Sequence, residues 1–169
     1  VFCVDTEKYS SAKKGTLIHF VLENIDLSRN YEKESLKNEI EKLVKIGKIT
    51  KIDAGYININ KILTFLKSDL GTEIRNSKFV KKEQEFILKE ESISKSIIQG
   101  IIDLYYINEN GNIVLVDFKT DRIDEEELFR KKYKKQLEIY KIALEKITGK
   151  TVENSYIYSF NLGKKISII

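Results

Sequence analysis

Residues 100–119 read GIIDLYYINENGNIVLVDFK. Two β-rich apolar runs, Ser96 to Ile107 and Asn112 to Lys119, flank Glu109-Asn110-Gly111, so the stretch predicts a hairpin. Its register depends on the loop. A two-residue loop, Asn110-Gly111, pairs Glu109 with Asn112 and sends Asp103 and Asp117 to opposite faces. A three-residue loop with Gly111 in the left-handed conformation pairs Asn108 with Asn112. Asp103 then stands opposite Asp117, and Ile101 opposite Lys119. The second register is preferred, because Gly111 suits the bulge and because of what it does to the charges.

In that register one face carries Ile101, Asp103, Tyr105, Ile113, Leu115, Asp117 and Lys119. The other carries Ile102, Leu104, Tyr106, Val114, Val116 and Phe118. Both faces are mostly apolar, as expected of central strands covered on both sides. Asp103, Asp117 and Lys119 are the only charges inside the pair, and all fall on one face. Two buried carboxylates side by side repel, and each costs several kcal/mol to desolvate. A divalent cation removes that conflict, and hard carboxylate oxygens suit Mg²⁺ or Mn²⁺. Lys119, two residues from Asp117, points the same way and can hold a water nucleophile or neutralise a phosphoryl group. A purely structural Lys119–carboxylate salt bridge is the competing reading.

Outward from the hairpin, two regimes appear. Residues 1–77 read mainly as helix, a cap over the later sheet, and residues 78–169 as a catalytic sheet and helix. Helices are predicted from Gly15 to Ile25, from Tyr31 to Ile46 with Gly47 as C-cap, and from Asn58 to Leu70, ending at Gly71. Phe79 to Leu88 reads as a strand, Leu128 to Ile147 as a helix closed by Gly149, and Ser155–Asn161 with Lys164–Ile169 as a last strand pair.

The 169 residues suit one domain, with 41% apolar and 33% charged residues. Val1 and the absence of methionine suggest a domain from a longer chain. No run approaches a membrane span. Cys3 is the one cysteine, so neither a disulfide framework nor a cysteine-ligated iron–sulfur cluster can be built from this chain, in keeping with a reducing cytoplasm. No P-loop motif is present, so no ATP site is expected in this stretch. The net charge of +4 weakly favours a nucleic-acid partner. The basic run Arg130, Lys131, Lys132, Lys134, Lys135 reads either as phosphate contacts or as a solvated helix face.

Gly100-Ile101-Ile102-Asp103, Val116-Asp117-Phe118-Lys119-Thr120-Asp121 and Gln136-Leu137-Glu138-Ile139-Tyr140 together resemble the RecB-type branch of the PD-(D/E)XK nucleases. Gly15-Thr16-Leu17-Ile18-His19 resembles its G-x-x-x-H helix. Lys82-Glu83-Gln84-Glu85-Phe86 resembles its R-E-x-P-F strand, with Lys82 for arginine and Glu85 for proline. Order and spacing agree from about residue 15 to 169. Within the branch, the long region between His19 and Glu83 makes the chain similar to the nuclease domains of AddA-type helicase–nucleases.

The resemblance implies an α/β restriction-endonuclease-like fold, a mixed sheet flanked by helices with an N-terminal helical cap. It implies a metal site of His19, Asp103, Asp117 and the Phe118 carbonyl, with Lys119 as catalytic lysine. Gln136 and Tyr140 would line the site and touch DNA, and Glu83 would be an accessory acid. The implied activity is a metal-dependent DNA exonuclease in an ATP-driven helicase–nuclease that resects double-strand breaks, with an AddB-type partner. Two alternatives stand beside it: a catalytically silent DNA-binding or docking module of the same fold, and a free-standing phage-type exonuclease.

Overall fold

The computed structural model describes residues 10–89 and 97–168, and at its centre lies the three-residue-loop hairpin. Asn108 N–H donates to Asn112 O (2.9 Å), and Gly111 takes φ +82°. The register follows as Ile107↔Ile113, Tyr106↔Val114, Tyr105↔Leu115 and Leu104↔Val116. Cys3, Ser96 and Ile169 lie outside the described residues.

Five strands form one sheet in the order β1 (Val80–Leu88), β2 (Ile98–Ile107), β3 (Ile113–Lys119), β4 (Val152–Ser159) and β5 (Lys164–Ser167). All neighbours are antiparallel except β3 and β4, which are parallel. A parallel pair needs a long crossover, supplied here by α6 (Glu126–Thr148). Its C-cap, Gly149, is left-handed at φ +67°, where a side chain would be strained.

Among the described residues five helices precede the sheet: α1 (Ser11–Asn24), α2 (Lys33–Lys45), α3 (Lys51–Gly55), α4 (Ile59–Lys67) and α5 (Asp69–Asn76). Val21, Leu22, Leu36, Ile62, Phe65 and Leu70 pack with Leu104, Tyr106, Val116 and Phe118 into one core. On the other side, Phe129, Leu137 and Leu144 of α6 pack with Tyr105, Ile113, Leu115 and Ile157. The structure is thus a mixed α/β layer arrangement, with the sheet between helices. Among the described residues no helix is long and apolar enough to cross a membrane.

Three expectations are corrected. The helix expected over Asn58–Leu70 breaks at Ser68, whose hydroxyl accepts the Gly71 N–H (3.1 Å) and starts α5. Gly71 therefore does not end a helix. It lies inside α5 because a Cβ there would collide with the Phe65 and Leu66 carbonyls. Secondly, α3 was not anticipated. Thirdly, the face assignment of β2 holds only after Asp103. Ile102 joins the α6-side core, while Ile101 is exposed. The cause is a backbone irregularity. β1–β2 pairing skips Glu83 and Asp103, and Glu83 has φ +49°, the one positive value at a non-glycine among the described residues. Past this rung the two strands exchange faces, so Phe86 and Leu88 face α6 while Lys82 reaches the other side.

Candidate active site

β3 runs through the middle of the sheet and delivers Asp117 and Lys119 to its end. Asp117 is only 2% exposed. Lys119 Nζ lies 2.6 Å from Asp117 Oδ2, a short ion pair at an almost fully buried oxygen. Asp103 enters from β2 just where the β2–β3 ladder stops. Its Oδ2 accepts the Phe118 N–H (2.7 Å), so a carboxylate replaces the next main-chain rung. The two acids meet at adjoining strand positions, as the register predicts.

His19 arrives from α1. Ser10 caps that helix by accepting the Lys13 N–H (3.1 Å). Gly15 lets α1 lie against β3, because a Cβ there would collide with Thr120 Oγ1. One turn on, His19 Nδ1 stands 3.6 Å from Asp103 Oδ1, with its ring edge-on to Phe118 at 6.0 Å. The far end of α1 is held by Lys82, whose ammonium donates to the carbonyls of Glu23 (2.6 Å), Ile25 (2.8 Å) and Leu22 (3.3 Å).

The remaining expected residues converge on the same place. Glu83, turned by its positive φ, feels the Asp103 and His19 charges, whereas Glu85 is exposed. Gln136 Nε2 donates to Tyr140 Oη (2.8 Å) on α6. The Tyr140 ring packs edge-on to Phe86 at 5.5 Å, over Gly100, where a Cβ would come within 2.9 Å of the Phe86 ring. The basic run divides. Arg130 is bound to Glu126 (2.9 Å) and the Ser167 carbonyl (3.0 Å), and Lys132 to Asp121 (2.7 Å). Lys131, Lys134 and Lys135 are exposed. Sequence reasoning missed Tyr133, whose ring centroid lies 4.6 Å from Lys119 Nζ. Its signal was available: Tyr133, Gln136 and Tyr140 follow the i, i+3, i+7 spacing of one helix face.

The electrostatics reflect crowding of like charge. Burial pushes Asp117 up to about 6, Asp103 adds to the rise, and Lys119 restrains it. Burial also raises Glu83, reinforced by Asp103 and Glu23. For His19, burial opposes the imidazolium, but the pull of Asp103 and Asp117 outweighs it and lifts the group above its usual value. Burial likewise opposes the Lys119 charge, and Asp117 overcomes it.

These donors fit a hard divalent cation. Asp117 presents an almost fully buried carboxylate, and Asp103 uses Oδ2 for the Phe118 N–H while Oδ1 faces the His19 ring at 3.6 Å. Among the described residues no three His, Cys, Asp or Glu side chains close on a point by themselves. An open two-carboxylate arrangement is what Mg²⁺ prefers, since it sheds its waters reluctantly.

The family model of the PD-(D/E)XK nuclease superfamily matches residues 3–166. The A subunit of the ATP-dependent helicase/nuclease of Clostridium perfringens is 39% identical over 181 aligned residues, covering 96% of this chain and 14% of that protein. Its counterpart of the same name in Clostridium botulinum is 35% identical, covering 99% and 14%. The chain thus spans about one seventh of the length of these relatives. A crystal structure of protein VC1899 from Vibrio cholerae covers 90% of this chain and 43% of its own, at 10% identity and a TM-score of 0.37.

Proposed function

The chain belongs to the PD-(D/E)XK nuclease superfamily, and from that premise we propose that it hydrolyses DNA phosphodiester bonds at the Asp103–Asp117–Lys119 site. The observation that carries this reading is the buried Asp117 carboxylate set beside Asp103 with an ammonium 2.6 Å away. Asp103 satisfies the Phe118 N–H, but setting a second, buried carboxylate beside it adds repulsion and desolvation that folding alone does not require.

Asp103, Asp117 and the Phe118 carbonyl are the groups proposed to hold the metal, Mg²⁺ or Mn²⁺, and His19, whose Nδ1 faces Asp103 at 3.6 Å, would join them by a shift of its ring toward the ion. The Phe118 N–H is already bound to Asp103, and in a strand the carbonyl of the same residue turns to the same side. When bound, the metal supplies a Lewis acid that favours attack on phosphorus and stabilises charge on the leaving oxygen. Lys119 donates toward the attacking water or a phosphoryl oxygen, neutralising charge that develops there. His19 and Glu83 flank Asp103 and share its charge balance. Gln136 and Tyr140, tied to each other, line the α6 side and contact the DNA strand.

The names of the relatives, subunits A of ATP-dependent helicase/nucleases, support a larger context in which this nuclease unit works beside a helicase. To that context the motif resemblance adds, as part of the proposal, exonuclease action in resecting double-strand breaks in the cytoplasm with an AddB-type partner. The test is digestion of linear double- and single-stranded DNA by this chain with Mg²⁺, Mn²⁺ or chelator, beside Asp117→Ala and Lys119→Ala. Chelator should abolish cutting, and each variant should lower the rate by about 100-fold or more. Unchanged cutting in both variants contradicts the assignment, whereas no cutting by the unaltered chain with either metal favours a silent DNA-binding module.

A further inference from the structure

We propose that Tyr133 is a positioning residue for Lys119, its ring face holding the ammonium in the pocket independently of Asp117. This rests on the reading of Lys119 as the catalytic lysine.

Lys119 has two neighbours of different kinds: Asp117 Oδ2 at 2.6 Å and the Tyr133 ring at 4.6 Å. The first is also the group best placed to bind a cation. A carboxylate committed to a divalent ion has less negative charge to offer an ammonium, and the lysine stem is flexible. An aromatic face attracts an ammonium without competing for the metal. It also accepts no conventional hydrogen bond, so it occupies none of the N–H donors of Lys119 that would serve water or substrate.

Tyr133 is itself fixed. Its ring packs on the fully buried Phe129 (centroids 6.1 Å apart) on α6. Lys132, whose ammonium is bound to Asp121 at 2.7 Å, also lies over the ring, 4.9 Å from its centroid. Asp121 lies two residues beyond Lys119, so this lock joins the end of β3 to α6 beside the ammonium. The ring holds Lys119, and packing on Phe129 holds the ring.

The test compares Tyr133→Leu, Tyr133→Phe and Lys119→Ala in this chain with Mg²⁺ and linear DNA. Tyr133→Leu, which keeps an apolar contact with Phe129, should lower kcat about tenfold. Its KM should stay within about twofold, because ground-state binding is untouched. Tyr133→Phe should retain most of kcat. An independent readout is the ring-current shift of the Lys119 ε-methylene protons in ¹³C-lysine-labelled protein, assigned by its loss in Lys119→Arg. It should persist on adding Mg²⁺, survive in Tyr133→Phe and vanish in Tyr133→Leu. Wild-type kcat in Tyr133→Leu with Lys119→Ala inactive overturns this inference alone. Full activity of Lys119→Ala overturns the parent reading. If Tyr133→Leu fails to fold, the wild-type spectrum decides, and no ring-current shift with Mg²⁺ overturns the proposal.

Discussion

Asp117 is pulled in two directions. Burial and Asp103 favour its neutral form, while Lys119 favours its charge. Because its folded pKa is raised, its protonation stabilises the fold at low pH, and that contribution is lost as pH rises from the unfolded value of 3.8 to about 6. A shift of this size corresponds to roughly 3 kcal/mol. His19, also raised, works in the same direction: its contribution is present below 6.5 and lost as pH rises through its higher folded value. The metal-free protein should therefore melt at a higher temperature at pH 5 than at pH 8. Asp117→Asn should flatten that slope. A scan of Tm against pH in chelator checks both, and an unchanged slope in Asp117→Asn would show that Asp117 does not titrate as argued. The side-by-side placement of Asp103 and Asp117 was legible in the sequence because Gly111 selects the loop and the loop selects the register. The contact of Lys119 with Tyr133 was not, because hairpin periodicity says nothing about which turn of α6 lies over the strand end.

At the scale of elements, the site depends on α1 lying close to β3 and staying there. Gly15→Ala should drive a methyl into Thr120 and destabilise the protein by about 1–3 kcal/mol. Gly15→Ala combined with Thr120→Ala should recover much of the loss, a non-additivity measurable by chemical denaturation. Simple additivity would mean that the two residues do not meet. Lys82 anchors the other end of α1 through three carbonyls. Lys82→Met should cost about 1–3 kcal/mol by leaving those acceptors unpaired, read by the same denaturation series. Neither device shows in a hydrophobic pattern, since a glycine in a helix and a lysine in a strand look ordinary there. The exchange of faces at Glu83 and Asp103 escaped for a related reason. Strict alternation assumes regular backbone, and nothing in the residue types around Glu83 announces a positive φ at that position. Gly47 was readable because its left-handed conformation (φ +74°) completes a C-cap, with Lys48 N–H reaching Leu43 O at 2.9 Å.

Over the whole molecule, the sheet separates two cores and the site sits at their seam. His19 comes from the α1–α5 side, Asp103 and Asp117 from the strands, and Tyr133, Gln136 and Tyr140 from α6. The order of elements was visible in the sequence, because amphipathic and alternating periods change where the elements do. The split between α4 and α5 was not, since Ser68 breaks a continuous apolar period by capping. Joining both layers at one charged pocket makes stability and metal binding interdependent. A divalent ion that binds only the folded state should raise Tm at neutral pH, by more at pH 8 than at pH 5, where protons compete for the carboxylates. The most direct test is an anomalous difference map from crystals of the chain soaked in Mn²⁺. The account predicts one strong peak within coordinating distance of Asp103 and Asp117, absent in Asp117→Ala. A map with no peak between those carboxylates, or one unchanged in Asp117→Ala, would contradict it.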